Sequence, residues 1–268
     1  MRAAVFRGIG QLLVEQIPDP VPGDRDIVIR VRACGVCGTD LSTYTKGLFT
    51  PVGQVMGHEF AGEVVHVGAA VADLAVGDRV TGLPIQPCGD CRRCREGARH
   101  LCQVWTTRSI AYGLPGAFAE LLRIPDAVLG GNVHRLPENV TFEDGALVEP
   151  MSVAGHAVRR AQHPAGEPAV VLGLGPIGLH AAQVLRAKGA AAVIGVDQSP
   201  LRRTVAESLG IVALDGTGDL KSTVDGLVGP AEVPSVFEAS GAAALVRQAV
   251  DLVRPGGQLM VVALYHAP

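Results

Sequence analysis

Four cysteines lie close together in the 268-residue chain with the spacing Cys-x2-Cys-x2-Cys-x7-Cys, and they are Cys88, Cys91, Cys94 and Cys102. Zinc takes four thiolates in a tetrahedron, and loops this short let one segment surround the ion. Four protein thiolates would leave no position open for water or substrate. The spacing therefore predicts a structural zinc ion, with disulfides, free thiols or an iron–sulfur cluster as the alternatives.

A second set of metal-binding side chains is spread over the first half of the chain. Cys37 lies in a Cys-Gly-Thr-Asp segment, His58 and Glu59 are adjacent, and Glu149 precedes a proline. Thiolate, imidazole and carboxylate suit zinc, and three protein ligands would leave one position for a substrate oxygen. Each has an ordinary alternative, since a lone histidine is often a core residue and Glu149 could simply begin a helix. We interpret Cys34 as a small buried thiol.

A glycine-rich turn stands between an apolar strand and a helix, and its sequence is Gly173-Leu174-Gly175-Pro176-Ile177-Gly178. The glycines permit a tight turn close to a pyrophosphate, which the helix N-terminus faces. Asp197 ends the next strand, where a carboxylate can accept hydrogen bonds from the adenosine ribose. Because this carboxylate repels the additional phosphate of NADP, we expect NAD. Arg202 could instead accommodate that phosphate, or pack against the adenine end of NAD.

The secondary-structure elements that must position these groups follow two different sequence patterns. Residues 1–130 carry short β-branched runs between turn signals, such as Ile27–Val31 and Gly62–Val67, and predict a mostly antiparallel β domain. From about residue 168, strands and helices alternate, which predicts a parallel, doubly wound sheet. The predicted strands are Ala169–Leu172, Ala192–Val196, Ile211–Leu214, Ser235–Glu238 and Gln258–Leu264, and the predicted helices are Pro176–Lys188, Leu201–Leu209, Leu220–Leu227 and Ala242–Val253.

Length and composition agree with two domains, since 48% of the residues are hydrophobic and supply two modest cores. We place the boundary between residues 1–150 and 151–268, with a helix over Glu149–Gln162 joining the halves. The net charge of −3 and the lack of a basic run argue against nucleic acid, so we expect a small-molecule partner.

The compartment follows from the N-terminus and the cysteines. The first residues lack the long apolar core of a secretory signal, and charges interrupt every long apolar stretch, so neither secretion nor membrane spanning is expected. All six cysteines fall between Cys34 and Cys102, whereas a disulfide framework would staple a small domain throughout. Reduced, metal-bound thiols in the cytoplasm are the interpretation.

Several motifs follow one another in an order typical of one family. Beside the four-cysteine cluster and the glycine-rich turn they are Cys37-Gly38-Thr39-Asp40, Gly57-His58-Glu59-Phe60-Ala61-Gly62, Val76-Gly77-Asp78-Arg79-Val80, Gly116-Ala117-Phe118-Ala119-Glu120 and Glu149-Pro150. With these motifs the chain resembles the medium-chain, zinc-containing alcohol dehydrogenase family from its N-terminus to about residue 268.

This resemblance implies an α/β protein in which a GroES-like catalytic domain packs against a Rossmann domain that binds NAD. It also implies two zinc ions, one structural and one catalytic, the latter held by Cys37 and His58 with Glu59 or Glu149 as a further ligand. Thr39 matches the family hydroxyl that relays the alcohol proton. A homodimer or homotetramer is expected.

The segment Glu149-Pro150-Met151-Ser152-Val153 resembles the sorbitol, threonine and butanediol dehydrogenase branch, which implies hydride transfer between a secondary alcohol, diol or polyol and NAD. Ser42 stands where that branch commonly has a histidine, so a proton relay through histidine is not expected at this position. The chain also stops at Pro268, before the last Rossmann strand and the C-terminal return of the family. The alternatives are a non-catalytic, zinc-stabilised dinucleotide-binding protein or a truncated, inactive dehydrogenase.

Overall fold

The computed structural model describes residues 1–230 and 232–265. The chain divides into two compact units, Met1–Glu149 and Pro150–Pro268. Each unit has its own β-sheet and its own clusters of buried apolar side chains. Among the described residues, no helix has both the length and the apolar character needed to cross a membrane.

The first unit is built on antiparallel strands, as predicted from its short β-branched runs. The hairpin β1–β2 stands beside a five-stranded sheet with the order β6-β3-β4-β5-β7. The strands are β1 (Arg2–Gly8), β2 (Gln11–Gln16), β3 (Ile27–Gly35), β4 (Glu59–Val67), β5 (Arg79–Gly82), β6 (Leu121–Ile124) and β7 (Val133–Arg135).

Strand β3 is longer than the run Ile27–Val31 that indicated it. Its first three residues are all buried, and Ile27 and Ile29 join the main core of this unit with Phe60 of β4. The strand continues to Gly35 because β4 pairs with it to the end, where Gly35 lies opposite Glu59. Pairing with a neighbour, which local propensity does not encode, sets this boundary.

The helices of the first unit are short and connect the strands. They are α1 (Gly38–Lys46), α2 (Arg92–Arg95), α3 (Trp105–Arg108) and α4 (Phe142–Ala146), with a 3-10 turn over Arg99–Leu101. Helix α5 (Val148–Ala161) begins with the last residues of the first unit and continues into the second. It corresponds to the helix predicted over Glu149–Gln162.

The second unit has the predicted doubly wound architecture. All neighbouring strands in its five-stranded sheet are parallel, in the order β10-β9-β8-β11-β12. The strands are β8 (Pro168–Leu172), β9 (Ala192–Val196), β10 (Val212–Leu214), β11 (Ser235–Glu238) and β12 (Gln258–Val261), and the helices are α6 (Pro176–Ala187), α7 (Pro200–Ser208), α8 (Leu220–Val228) and α9 (Ala243–Leu252).

Alternation along β8 separates two cores on the two faces of this sheet. Val171 packs in the cluster formed with α5, α6 and α7, whereas Val170 packs in the cluster formed with α8 and α9. Both side chains are completely buried. A strand that is covered on both faces reads as a continuous apolar run, which is why the sequence pattern located it correctly.

Strand β12 ends at Val261, three residues before the predicted end at Leu264. The next two backbone N–H groups, those of Val262 and Ala263, both donate to the carbonyl oxygen of Glu238, at 2.8 and 3.2 Å. Two successive donors directed at one acceptor break the regular ladder of a parallel pair. The chain therefore turns at the carboxyl end of β11 instead of extending the sheet.

Candidate functional site

Three of the scattered metal-binding residues come together in the first unit. Cys37 caps the N-terminus of α1, His58 immediately precedes β4, and Glu59 is the first residue of β4. Their potential ligand atoms all lie within 4.8 Å of one another. His58 and Glu59 are buried and Cys37 is half-buried, so the group is largely withdrawn from solvent.

The place of the Glu59 carboxylate depends on a glycine in the neighbouring strand. Gly35 is paired with Glu59 in the β3–β4 register, and a Cβ atom on Gly35 would lie 2.2 Å from Glu59 Oε2. Any side chain at this position would displace the carboxylate. Gly35 therefore leaves the space in which Glu59 reaches the cysteine and the histidine.

Asp40 connects the two segments that carry these side chains. Its carboxylate is buried and accepts a hydrogen bond from the backbone N–H of Cys37 at 2.9 Å. Burial raises the pKa of Asp40, opposed by the N–H groups of Cys37 and Gly57 and by the charge of His58. Asp40 ends the Cys-Gly-Thr-Asp motif, but its place in that motif did not by itself predict a part in this site.

The chemistry of this group fits a zinc ion. Nδ1 of His58 is buried without a hydrogen-bond partner, and burial lowers the pKa of His58, which favours the neutral imidazole that metals bind. Burial raises the pKa of Cys37 to about 11, against hydrogen bonds from Thr39, so a nearby cation is required to keep the thiolate at neutral pH. One sulfur, one imidazole nitrogen and one carboxylate also match the ligand types of catalytic zinc.

Glu149 lies beside this group without being part of it. Its ligand atoms are not among those within 4.8 Å of one another. Burial, followed by the charge of Glu59, raises the pKa of Glu149 to about 7. The structure therefore brings Glu59 to Cys37 and His58 and leaves Glu149 as a second carboxylate nearby.

Thr39 is held by Tyr112, a residue that the sequence motifs did not predict to be near it. The hydroxyl of Tyr112 donates to Thr39 Oγ1 at 3.1 Å, and the Tyr112 ring centroid lies 5.5 Å from that of His58. Trp105 packs edge-on against Tyr112, with the ring centroids 6.3 Å apart. Tyr112 lies outside the metal-binding motifs, and no local pattern distinguished it from the other tyrosines.

The four clustered cysteines also converge. Their sulfur atoms lie within 4.8 Å of one another, and Sγ of Cys88 is 3.9 Å from Sγ of Cys94. Four zinc–sulfur bonds of about 2.3 Å arranged as a tetrahedron give edges of about 3.8 Å. The structure joins none of the six cysteines in a disulfide, and the 3.9 Å between the sulfurs of Cys88 and Cys94 is well beyond an S–S bond of about 2.05 Å. The donor set fits a closed zinc site.

Backbone donors and a charged surface surround this cluster. The N–H groups of Cys91 and Gln103 point at the sulfurs of Cys88 and Cys91, at 3.3 and 3.5 Å. Hydrogen bonds, chiefly from the backbone of Gln103 and of Cys94, lower the pKa of Cys91 to about 6. Arg92 and Arg93 are exposed and pair with Glu96, as expected for a solvated surface.

In the second unit, the glycine-rich turn forms an open cradle at the carboxyl end of β8. Gly173 has a φ of 93°, and a Cβ atom on Gly178 would lie 1.8 Å from the carbonyl oxygen of Gly173, so both positions require glycine. Gly175 caps α6, Pro176 begins the helix, and a Cβ at Gly175 would meet nothing within 4 Å. This unfilled space before a helix N-terminus, with Ile177 half-buried in the first turn, fits a pyrophosphate.

Asp197 follows β9 and is bonded to the same turn. Its carboxylate accepts hydrogen bonds from the N–H groups of Leu174 and Ser199, both at 2.8 Å, and from Arg202 at 3.2 Å. Burial raises the pKa of Asp197, but these donors outweigh it and hold the pKa below its ordinary value. Asp197 therefore remains ionised at neutral pH, with Arg202 beside it.

Two family profiles match the chain. Residues 23–138 match the alcohol dehydrogenase GroES-like domain, and residues 176–268 match the zinc-binding dehydrogenase domain. The first match contains Cys37, His58, Glu59 and the cysteine cluster, and the second contains part of the glycine-rich turn together with Asp197.

Individual proteins match over nearly the whole chain. L-threonine 3-dehydrogenase of Coxiella burnetii is 34% identical over 96% of this chain and 75% of its own length. (R,R)-butanediol dehydrogenase of Bacillus subtilis is 34% identical over 99% of this chain and 78% of its own. The solved structure of a zinc-binding dehydrogenase from Sinorhizobium meliloti, bound to NADP, is 33% identical and superposes with a TM-score of 0.91, covering 98% of this chain and 77% of that one.

Proposed function

Because the chain belongs to the family of zinc-containing medium-chain alcohol dehydrogenases, we propose that it transfers a hydride between a secondary alcohol, vicinal diol or polyol and NAD. The observation that carries this proposal is the group of Cys37, His58 and Glu59. Nδ1 of His58 is buried without a hydrogen-bond partner, and the pKa of Cys37 is raised to about 11. A bound cation would give the nitrogen a partner and stabilise the thiolate. The threonine and butanediol dehydrogenases among its relatives support a secondary alcohol as substrate.

In this proposal, residues 1–150 form the catalytic domain with both zinc sites, and residues 151–268 bind the cofactor. Cys37, His58 and Glu59 hold the catalytic zinc, and Cys88, Cys91, Cys94 and Cys102 hold the structural one. The grouping of the ligand atoms supports Glu59 over Glu149 as the third ligand. Glu149 is then a carboxylate beside the site, within electrostatic reach of Glu59.

The bound zinc supplies a Lewis acid for the alcohol oxygen, and the bound nicotinamide supplies the hydride acceptor. The chain itself must bind the alcohol and receive its proton. Thr39 Oγ1 already accepts one hydrogen bond, from Tyr112, and a hydroxyl oxygen has a second lone pair for the proton of the alcohol. Thr39 is therefore the proposed proton relay: it accepts the alcohol proton as its own hydroxyl proton passes on towards solvent, and Tyr112 restrains its rotation.

Asp197 supports NAD over NADP in this proposal, because an ionised carboxylate repels a 2′-phosphate. The ion pair with Arg202 weakens that repulsion without removing the charge. The test is the ratio of kcat/KM for NAD to that for NADP in the wild type and in Asp197→Ser. We expect a ratio above about ten that falls by about tenfold or more in the variant. A wild-type ratio below one would overturn the NAD assignment.

The activity is tested by screening secondary alcohols, diols and polyols for NADH formation, with Cys37→Ser beside the wild type. We expect Cys37→Ser to lose turnover and one zinc ion while it still binds NADH. The matched control is Cys34→Ala, which removes a neighbouring thiol that belongs to neither metal group. Undiminished alcohol oxidation by Cys37→Ser would contradict the catalytic zinc assignment.

The proposed compartment is the cytoplasm, and the proposed assembly is a homo-oligomer. Four cysteines close together without a disulfide are typical of a reducing compartment, which supports a cytoplasmic location. A homodimer or homotetramer is proposed from the resemblance to the family, and light scattering of the purified chain measures its mass directly. An alcohol or its ketone is the proposed small-molecule partner.

A further inference from the structure

A completely buried carboxylate lies at the carboxyl end of β11, outside all the residues assigned so far. Glu238 has no exposed surface. Its Oε1 accepts hydrogen bonds from the backbone N–H groups of Ser240 and Gly241, at 2.8 and 3.2 Å, and from the Ser240 hydroxyl. Its Oε2 accepts a hydrogen bond from the hydroxyl of Tyr265. These N–H and O–H donors satisfy the buried carboxylate from two separate loops.

The first of these loops packs directly against the glycine-rich turn. The N–H of Ala239 donates to the carbonyl oxygen of Leu172, the last residue of β8, at 2.8 Å. A Cβ atom on Gly173 would lie 2.7 Å from the Cα of Ser240. Glu238 therefore determines the shape of a loop that touches the turn where the cofactor binds.

The second loop follows β12 and is held by the same residue. The carbonyl oxygen of Glu238 accepts the N–H groups of Val262 and Ala263, and its side chain accepts the Tyr265 hydroxyl. A Cβ atom on Gly241 would lie 3.2 Å from the carbonyl oxygen of Leu264, so the two loops also touch each other. Glu238 is bonded to both loops, through its backbone and through its side chain.

Sheet topology decides which half of the cofactor these loops would face. From β8 the chain proceeds through β9 to β10 on one side, and β11 and β12 lie on the other, so the crevice opens between β8 and β11. In doubly wound sheets, dinucleotides bind across this crevice at the carboxyl ends of the strands. Asp197, after β9, marks the adenosine side, and the loops held by Glu238 lie on the opposite side of the turn.

We propose that Glu238 is a positioning residue for the nicotinamide half of the cofactor, acting by fixing the loops 240–242 and 263–265 as the wall of that half of the crevice. The inference rests on the proposed use of NAD. It assigns to Glu238, Ser240 and Tyr265 a part in cofactor binding that neither the glycine-rich motif nor Asp197 covers. ADP lacks the nicotinamide riboside, so its binding affinity should not depend on these two loops.

The test compares NADH affinity, from cofactor fluorescence, with ADP affinity, from calorimetry, in the wild type and in three variants. Glu238→Ala removes every side-chain contact, and we expect NADH to bind about tenfold more weakly while ADP affinity changes less than about twofold. Glu238→Gln keeps one acceptor oxygen and can donate to Tyr265, so it should restore NADH affinity to within about threefold of the wild type. Tyr265→Phe removes one hydroxyl and should lower the affinity for NADH about threefold.

Glu207→Gln, an exposed carboxylate on α7, is the control and should leave both affinities unchanged. Thermal unfolding of each variant separates a folding defect from a binding defect, and Tyr265→Phe tests the inference even where Glu238→Ala does not fold. Equal losses of NADH and ADP affinity, or unchanged NADH affinity in both disruptive variants, would overturn it. A wild type that binds neither nucleotide would instead refute the proposed function itself.

Discussion

The phenol of Tyr112 donates a hydrogen bond to the hydroxyl of Thr39, although 73 positions separate them in the sequence. The ring of the same tyrosine also contacts the rings of His58 and Trp105, so its own rotation is restricted. Burial, opposed by the hydrogen bond with Thr39, raises the pKa of Tyr112 to about 12, and the phenol stays protonated as a donor at neutral pH. Tyr112 thus fixes the hydroxyl of Thr39, two residues from Cys37.

Tyr112→Phe removes this donor while keeping the ring. One hydrogen bond contributes about 1 kcal/mol, so we expect kcat to fall about fivefold to tenfold with little change in NADH affinity or zinc content. Steady-state kinetics and metal analysis check this. Tyr44→Phe, on the exposed side of α1, is the control, and a Tyr112→Phe kcat within twofold of the wild type would contradict the positioning role.

The cysteine cluster should contribute to stability and only indirectly to turnover. Cys94→Ser removes a buried sulfur, so we expect one zinc ion fewer and a Tm lower by about 10 °C, because zinc bound only by the folded state stabilises it. Metal analysis and thermal unfolding measure both effects. Cys34→Ala should keep both zinc ions, and an unchanged zinc content in Cys94→Ser would refute the cluster as a metal site.

Alanine substitutions at two glycines of the glycine-rich turn should affect stability and NADH affinity differently. Gly178→Ala places a Cβ atom 1.8 Å from the Gly173 oxygen, so the turn must shift and both Tm and NADH affinity should fall. Gly175→Ala meets no atom within 4 Å and has an ordinary φ of −68°, so Tm should hold while NADH affinity falls about tenfold or more. The two measurements together distinguish a folding requirement from a binding requirement. Tight NADH binding by Gly175→Ala would place the pyrophosphate elsewhere.

His163 should make the protein less stable as the pH falls below neutrality. Its ring nitrogens lie 3.1 Å from Ser235 Oγ and 3.1 Å from the Glu167 carbonyl, an arrangement that suits the neutral ring. Burial lowers its pKa, so the unfolded chain, with a pKa of about 6.5, takes up a proton first. Stability from the neutral ring is present above about pH 6.5 and lost below it.

Thermal unfolding at about pH 7.5 and about pH 5.5 checks this prediction. The decrease in Tm on acidification should be smaller in His163→Gln than in the wild type. Equal decreases in the two proteins would show that other groups carry the pH dependence.

The second unit could be predicted almost element by element. The strand Ala192–Val196 has the predicted bounds, and the helix predicted over Pro176–Lys188 ends one residue earlier, at Ala187. Apolar runs and glycine turns act over a few residues, so a local pattern is sufficient for them. The predicted end of β12 was wrong because the N–H groups of Val262 and Ala263 both donate to the carbonyl oxygen of Glu238, which is distant in the sequence.

The sequence alone could not decide which carboxylate lies with Cys37 and His58. The sequence offered two carboxylates, and only the β3–β4 register, with Gly35 opposite Glu59, places one of them beside Cys37 and His58. Asp40 had a motif to indicate it, whereas Tyr112 and Glu238 had none. Their partners lie in other segments, and residue spacing carries no information about such pairs.

By itself, the sequence determined the two kinds of domain, the four-cysteine cluster and the glycine-rich turn, because each is a compact segment whose own residues supply the required geometry. The tertiary structure alone decided that Glu59 joins Cys37 and His58, that Tyr112 is bonded to Thr39, and that Glu238 holds two loops at the carboxyl end of β11. These relationships arise when strands pair and loops pack, since only folding brings distant segments within hydrogen-bonding distance.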